Sequence, residues 1–386
     1  MIDPLSSLFS RTMLIERLLG IAAYDLCVAL TYFLLNSCNS KKALKIVLRT
    51  CCLMLVILAF FFVPDSSKDL YRWLQISNDW PSLGLKSFIF NVAMKSNTPV
   101  AYFMMYACRL TGFDGTLPAF CAFIFYTNAF HVLLASYQKL QASSKDISLA
   151  FIFLMCTGSF LEVISGVRCF VAFSIIARCF FDEFIEKRSI AKSIPLYLVA
   201  ALIHLAVLPV LAIRLGYLIF IELSLYKNNS LINLIMVSLF LIVFLYEGSS
   251  IIQASIAKAK SYLTSRHYSY TWEYIIGILK YSLVGYIIHK GRCDAHLDND
   301  ISLMNLMSVN KIYIIVALLL FFEYNTFHRL AIPIDILSIP IVSTTSKTIK
   351  DPDRASFRTC IIVSCALILA LASARGNLCG YKFFVL

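Results

Sequence analysis

Polar residues that could do chemistry are confined to a few short stretches of an otherwise apolar chain. The stretch 64–72 holds two carboxylates, Asp65 and Asp69, and ends in Tyr71 and Arg72. Arginine binds phosphate oxygens in pairs and keeps its charge. These residue types therefore indicate binding of a phosphorylated substrate. The other candidates are basic residues that lie near the ends of apolar segments: Arg168, His204, Arg266, His328 and Arg329.

Transfer of a sugar from a lipid-linked pyrophosphate is the chemistry that this set suits. A sugar that leaves pyrophosphate needs its developing negative charge stabilised, which the arginines would do. Asp69 or His204 would take the proton of the acceptor hydroxyl as general base. The sequence has no DxD-like pair placed to bind a metal and no Cys/His cluster with metal-ligand spacing. We therefore expect no metal and no other cofactor.

Each candidate also has a purely structural interpretation. A single arginine at a helix end often serves as a membrane-surface anchor, and a histidine such as His204 often only packs between helices. Asp65 and Asp69 would also suit a solvated loop. What favours a site is that these residues are expected on one side of the membrane. Three further polar residues are interpreted as structural hydrogen-bonding groups: Asp25, His131 and Glu162.

The elements that position these residues must be membrane helices. Of the 386 residues, 60% are hydrophobic and 15% are charged, against roughly 25% charged in a typical soluble domain. A spanning helix needs about 20 mostly apolar residues, so the sequence excludes a soluble globular enzyme. It predicts an all-α, polytopic integral membrane protein with one domain, 1–386, and about 11–12 transmembrane helices. The predicted spans are 14–35, 45–63, 115–136, 148–165, 167–185, 194–210, 211–226, 231–247, 271–289, 309–325, 328–343 and 358–374.

The basic residues indicate membrane topology rather than nucleic-acid binding, although the net charge is +12. Lysines and arginines accumulate in cytoplasmic loops. They cluster here in 36–49, 182–193 and 344–358, which are therefore predicted to be cytoplasmic. This assignment places the polar segment 64–96 outside, after the second span.

The number of crossings then fixes the role of the stretch 97–111. The chain must cross the membrane an odd number of times between the external segment and the next cytoplasmic loop, and 115–136 supplies one crossing. We therefore predict that 97–111 is a re-entrant or interfacial helix on the outer face. Irregular elements at membrane depth usually line a cavity. The sequence thus predicts an external active site built from 64–111 and 248–270.

Four stretches resemble, in order and spacing, the motifs of EpsG-like and Wzy-type polysaccharide polymerases. They are PDSSKDLYRW at 64–73, SGVRCFVA at 165–172, AALIH at 200–204, and FHRL followed by a proline at 327–333. The sequence departs from the pattern at Cys169, where the family has glutamine, and at Leu330 and Ala331, where it has an aromatic pair.

The resemblance implies a membrane-embedded glycosyltransferase of GT-C-like architecture. Its activity would be the polymerisation of undecaprenyl-pyrophosphate-linked repeat units into O-antigen or capsular polysaccharide, at the periplasmic face of the bacterial inner membrane. Membrane lipid and a chain-length regulator protein would be its partners. The catalytic residues would be Asp69, Arg168 and His204. The substrate-binding residues would be Asp65, Tyr71, Arg72, Arg266 and Arg329.

Three other activities stay open from the sequence. A flippase of lipid-linked glycan would share the substrate but should show pseudo-symmetric halves, and no internal repeat is visible. An O-antigen ligase usually carries a larger external loop than 248–270. An O-acyltransferase needs a catalytic histidine deep in the membrane, for which His131 is a poor candidate because no partner for it is evident.

Overall fold

The computed structural model describes the backbone of residues 4–64, 66, 69–217, 271–293, 300–319, 324–378 and 382–383. Within these ranges the fold is almost entirely helical. The α-helices are α1 Pro4–Asn36, α2 Lys41–Phe60, α3 Asp69–Ile76, α4 Gly84–Phe88, α5 Pro99–Arg109, α6 Thr116–Lys139, α7 Ser144–Thr157, α8 Phe160–Ser165, α9 Cys169–Phe184, α10 Ile190–Ile203, α11 Leu208–Tyr217, α12 Thr271–Cys293, α13 Ile301–Leu319, α14 Tyr324–Thr348 and α15 Asp353–Leu378. Short 3₁₀ turns at Trp80–Leu83 and Leu205–Val207, a π turn at Ile89–Ala93, and two strands, β1 Phe62–Val63 and β2 Lys382–Phe383, complete the described elements.

Several helices are long and apolar enough to cross a membrane. In the described part of the chain there are six such segments: Leu19–Asn36, Lys41–Phe60, Thr116–Lys139, Ile301–Leu319, Phe327–Thr348 and Asp353–Ala372. The prediction of an all-α, multi-pass membrane protein is therefore confirmed. The predicted total of about 11–12 spans includes 231–247 and most of 211–226, which lie outside the described residues.

Two predicted spans are wrong as continuous helices. The span 148–165 is broken at Gly158, and the Ser159 hydroxyl accepts a hydrogen bond from the Glu162 backbone N–H (3.4 Å), which starts α8. The span 194–210 is broken at His204, whose extended backbone (φ −154°, ψ 114°) ends α10. Hydropathy does not detect either break, because the flanking residues are apolar on both sides.

The start predicted for the tenth span, residue 309, is also wrong. The helix α13 begins at Ile301, where the Asp300 carboxylate accepts hydrogen bonds from the backbone N–H groups of Ser302 and Leu303. Ser302 and Asn310 are buried inside the bundle. Asn310 faces α14, where its amide donates to the Ser338 hydroxyl (3.4 Å).

One end of the bundle gathers the basic loops, and we call it the basic end. The Ser144 hydroxyl donates to the Cys38 carbonyl, and the Lys347 ammonium donates to the Leu140 carbonyl (3.0 Å). These contacts bring the α1–α2, α6–α7 and α14–α15 connections together. Helices α6 and α9 run roughly parallel, since Asn128 contacts Ser174 and His131 contacts Asp182. The α9–α10 connection, 185–189, therefore lies at the basic end too.

The opposite end, which we call the site end, holds the polar segment that follows α2. Strands β1 and β2 pair antiparallel there, with Phe62 opposite Phe383 and Val63 opposite Lys382. The end of α15 therefore lies beside the end of α2. The fold thus places residues 60–64, 69–115 and the strand 382–383 at the same end of the bundle.

Helices α3–α5 form a compact unit at the site end. The Arg109 guanidinium joins α5 to α3 through the Leu74 carbonyl (2.8 Å) and the Asn78 side chain (3.1 Å). The ring of Tyr102 stacks on Trp80 at 5.1 Å. Helix α5 has 11 residues and a rise of about 16 Å, roughly half of a bilayer core. It is too short to span, as predicted for 97–111.

Candidate active site

Arg168 lies in the tight turn between α8 and α9 and directly precedes the first residue of α9. Gly166 makes this turn possible, because a Cβ at that position would lie 2.9 Å from the Glu162 carbonyl oxygen and 2.8 Å from the Phe170 ring. Gly166 thus permits the turn that positions Arg168 in the SGVR stretch. The turn presents a guanidinium at the head of an α-helix in apolar surroundings.

Helix α3 packs against α8 and brings an aromatic and charged face to Arg168. The Arg168 guanidinium lies over the Trp73 ring, 4.4 Å from its centre, and donates to the Thr98 hydroxyl at 3.4 Å. The Trp73 indole N–H donates to one Asp69 oxygen (3.2 Å), and Arg72 forms an ion pair with the other. Asp69 therefore holds both the ring and the second arginine in place.

A third guanidinium belongs to the same cluster. Arg329, in the first turns of α14, lies close enough to act electrostatically on Arg168, as do Asp69 and Arg72. The Cys169 side chain lies within electrostatic range of Arg168, Arg329 and Asp69. We call Asp69, Arg72, Arg168 and Arg329 the arginine cluster.

The arginine cluster has more positive charge than its own carboxylate can balance. Arg72, Arg168 and Arg329 carry three positive charges against the single carboxylate of Asp69, and an arginine stays charged in a protein even when it is buried. In the described part of the chain the buried Arg168 Nε has no hydrogen-bond partner. Such a donor next to two further guanidiniums suits an anion with several oxygens, such as a pyrophosphate.

The other predicted site residues fall into two groups. Tyr71 is exposed on α3, one residue before Arg72. His204 ends α10, and since α9 and α10 pack along each other and are joined at the basic end, His204 and Arg168 lie at the same end of this pair. Asp65 and Arg266, with the rest of 248–270, lie outside the described residues.

Comparison with known protein families shows which family the chain resembles. The model of the EpsG family matches residues 71–383, most of the chain. The chain belongs to the EpsG family. The match includes Arg72, Arg168 and Arg329, whereas Asp65 and Asp69 precede it. No curated protein and no solved structure matches the chain, so the GT-C-like architecture stays a prediction.

This EpsG-family chain also has a polar cavity beside the cluster that the sequence did not predict. An open cavity lies between α7, α8, α12, α14 and α15. Glu162 and His328 line it, with 3.3 Å between the His328 Nε2 and a Glu162 oxygen. Lys280 also lines the cavity, and Asp335 interacts electrostatically with all three. We call Glu162, Lys280, His328 and Asp335 the cavity cluster.

Sequence signals for the cavity cluster did exist. Residues 328, 331 and 335 recur at helical spacing and share one face of α14, and an acid or a base inside a membrane helix is a functional candidate by default. Lys280 and Asp335 lie in two separate predicted spans, 271–289 and 328–343, so the sequence alone does not show that they meet. Glu162 was interpreted as a structural residue.

One group in the described ranges could hold a metal ion, and it lies away from both clusters. The ligand atoms of His131, Asp182 and Glu186 lie within 4.8 Å of one another. Asp182 already pairs with Arg188 at 2.8 Å. The group is at the basic end of α9, on the order of 20 Å along the helix from Arg168. It therefore does not contribute to the arginine cluster.

Proposed function

We propose that this EpsG-family protein is a polysaccharide polymerase. It would transfer a growing glycan from undecaprenyl pyrophosphate to a lipid-linked oligosaccharide repeat unit and so build O-antigen or capsular polysaccharide. The observation that carries the proposal is the arginine cluster in a multi-pass EpsG-family protein, with the buried Arg168 Nε short of a partner within the described residues.

In the proposed reaction the arginine cluster binds the pyrophosphate of the donor. An acceptor hydroxyl oxygen attacks the anomeric carbon of the donor glycan, and the bond from that carbon to the pyrophosphate oxygen breaks. The electron pair leaves with undecaprenyl pyrophosphate, whose negative charge Arg72, Arg168 and Arg329 stabilise. No step of this scheme requires a metal or another cofactor.

Aromatic and acidic residues have supporting roles in the proposal. Tyr71, exposed on α3 beside Arg72, offers a ring on which a sugar can pack. Asp69 fixes Arg72 and Trp73, and its earlier predicted role as general base, like that of His204, stays a prediction. Asp65 and Arg266 are proposed as further substrate contacts from the polar segments that they occupy in the sequence.

The charge distribution supports an active site that faces the periplasm of a bacterial inner-membrane protein. Lys41, Lys42 and Arg49 lie at or near the start of α2, and Lys347 and Arg358 flank the α14–α15 turn, all toward the basic end. Basic loops favour the cytoplasm. The site end would then face the other side, where a lipid-linked repeat unit would meet the arginine cluster.

The test is deletion of the gene in its native strain, followed by electrophoresis of the surface lipopolysaccharide or capsule. We expect a ladder of chain lengths to collapse to a single repeat unit, and wild-type protein to restore the ladder. An Arg168→Ala protein, present in the membrane at equal amount, should not restore it. Loss of even the single unit would favour a flippase or ligase, and an unchanged ladder would contradict the proposal.

A further inference from the structure

The cavity cluster lies directly beside the arginine cluster. His328 and Arg329 are adjacent in α14, and Glu162 lies in α8, the short helix whose following turn carries Arg168. The Cys169 side chain is within electrostatic range of Glu162 as well as of Arg168 and Arg329. A substrate held by the arginines would therefore have its reactive end near the cavity.

The cavity has groups that suit a sugar. Ser159, Glu162 and His328 line it, and such groups hydrogen-bond sugar hydroxyls. The Phe327 ring packs against Tyr281, with 5.0 Å between ring centres, and gives the wall an aromatic part. A cavity that combines a few polar groups with an apolar wall is typical of a small-ligand site.

Within the cavity cluster, the Glu162–His328 pair is the part that a ligand can reach. Lys280 and Asp335 are 6% and 4% exposed, whereas the Glu162 and His328 side chains are 18% and 23% exposed. Asp335 interacts electrostatically with Lys280, so these two groups form the buried base of the cluster. Both Asp69 oxygens, by contrast, are already bound to Arg72 and Trp73.

We propose that the cavity binds the acceptor sugar and that the Glu162–His328 pair takes the proton from its attacking hydroxyl. The inference rests on the proposed polymerase function and adds the acceptor site and the proton acceptor to it. As the bond from the acceptor oxygen to the anomeric carbon forms, the hydroxyl proton moves to the Glu162 carboxylate, which His328 orients at 3.3 Å. The proton later leaves with the released undecaprenyl pyrophosphate.

The first experiment measures polymerisation by the purified full-length protein in nanodiscs supplied with lipid-linked repeat units. The Glu162→Gln protein should polymerise roughly 10²- to 10⁴-fold more slowly than wild type, the usual contribution of a general base. The matched control is Asp351→Asn, which also converts a carboxylate to an amide but lies exposed in the α14–α15 connection at the basic end; its rate should equal that of wild type. Both proteins should elute alike in size-exclusion chromatography.

A second readout separates a proton acceptor from a residue that only ties α8 to α14. Azide needs no deprotonation, so it can attack the anomeric carbon and expel undecaprenyl pyrophosphate without a base. We expect Glu162→Ala protein with azide to release glycosyl azide, detected by mass spectrometry, while it stays inactive on repeat units alone. A structural role predicts no such product.

The outcomes distinguish this inference from the function on which it rests. Wild-type protein that makes no polymer from repeat units would overturn both. Active wild type together with a Glu162→Gln rate within about threefold of it, well below the effect of a general base, would overturn only the assignment of Glu162 and leave the polymerase intact. If Glu162→Gln is not obtained in folded form, Glu162→Asp decides: it keeps a carboxylate and should retain measurable polymerisation, and its complete inactivity despite normal elution would count against the proton-acceptor role.

Discussion

Arg168 differs from the other members of the arginine cluster in how much of its guanidinium is left for a ligand. Arg72 is paired with Asp69, whereas Arg168 has a ring on one face, a long hydrogen bond to Thr98, and a buried Nε without a partner among the described residues. A buried unsatisfied donor costs about 1–3 kcal/mol. A pyrophosphate oxygen that accepts a hydrogen bond from this Nε would remove that cost. Satisfying the donor would therefore contribute to the free energy of substrate binding.

The substitution Arg168→Lys tests whether the planar N–H donors of the guanidinium contribute to polymerisation beyond its positive charge. Lysine keeps the positive charge but has no planar pair of N–H groups. A hydrogen bond to a charged group contributes about 1.5–3 kcal/mol, so we expect polymerisation to fall roughly 10- to 100-fold. The assay is the rate of chain growth from lipid-linked repeat units. The matched control, Arg49→Lys, changes an exposed arginine on α2 and should leave the rate unchanged; a normal rate in Arg168→Lys would show that only charge is needed.

The substitution Asp69→Asn tests the positioning role of that carboxylate. The amide oxygen can still accept from Trp73, but the ion pair with Arg72 is lost. We expect a rise in the apparent KM for repeat units with a change in kcat below about tenfold, since a positioning group affects binding more than the proton transfer. A fall in kcat of about 100-fold or more would instead support the base role predicted for Asp69 from the sequence.

At the scale of the elements, the close approach of α2 and α6 depends on Gly115. A Cβ at this position would overlap the Phe60 backbone carbonyl, a group that cannot move without shifting the end of α2. We expect Gly115→Ala to destabilise the protein by about 1–3 kcal/mol, the usual cost of overpacking. Thermal unfolding in detergent measures this. Gly285→Ala in α12 is the control, because nothing lies within 4 Å of its Cβ and alanine favours a helix; equal unfolding temperatures for the two variants would contradict the role of Gly115.

How far the elements could be predicted depended on the signal that marks each one. Long apolar runs marked α2, α6 and α15, because a bilayer demands such runs whatever packs around them. The break at His204 and the early start of α13 have no such marker, since they depend on what neighbouring helices bury. The residues of the candidate site were likewise predictable only where a local sequence pattern marks them.

The candidate site contains residues that a sequence motif marks and residues that only tertiary contacts reveal. Motif-bearing arginines such as Arg168 and Arg329 were found from the sequence, and the structure brings them together with Arg72 and Asp69. The pairing of Glu162 with His328 was not found, because it joins residues that are 166 positions apart in the chain. Contacts of that kind depend on tertiary structure, and a single sequence holds no local pattern for them.

At the scale of the whole molecule, the strand pair β1–β2 allows the orientation of the protein in the membrane to be tested with a reporter fused after residue 386. The pairing places Lys382 and Phe383 beside Phe62 and Val63, at the site end. If the basic end is cytoplasmic, this strand pair lies on the periplasmic side. A fusion of alkaline phosphatase after residue 386 should then be enzymatically active, because this enzyme needs the oxidising periplasm for its disulfides.

A fluorescent protein provides the reciprocal measurement, since it matures in the cytoplasm. Fused after residue 386 it should be dark, and fused after Gln141, in the α6–α7 connection at the basic end, it should fluoresce. The two reporters at the two positions form an internal control, because expression alone cannot produce opposite results. If the fluorescent fusion after residue 386 fluoresces and the phosphatase fusion there is inactive, the molecule has the opposite orientation in the membrane. The arginine cluster would then face the cytoplasm, and polymerisation at the periplasmic face would be excluded.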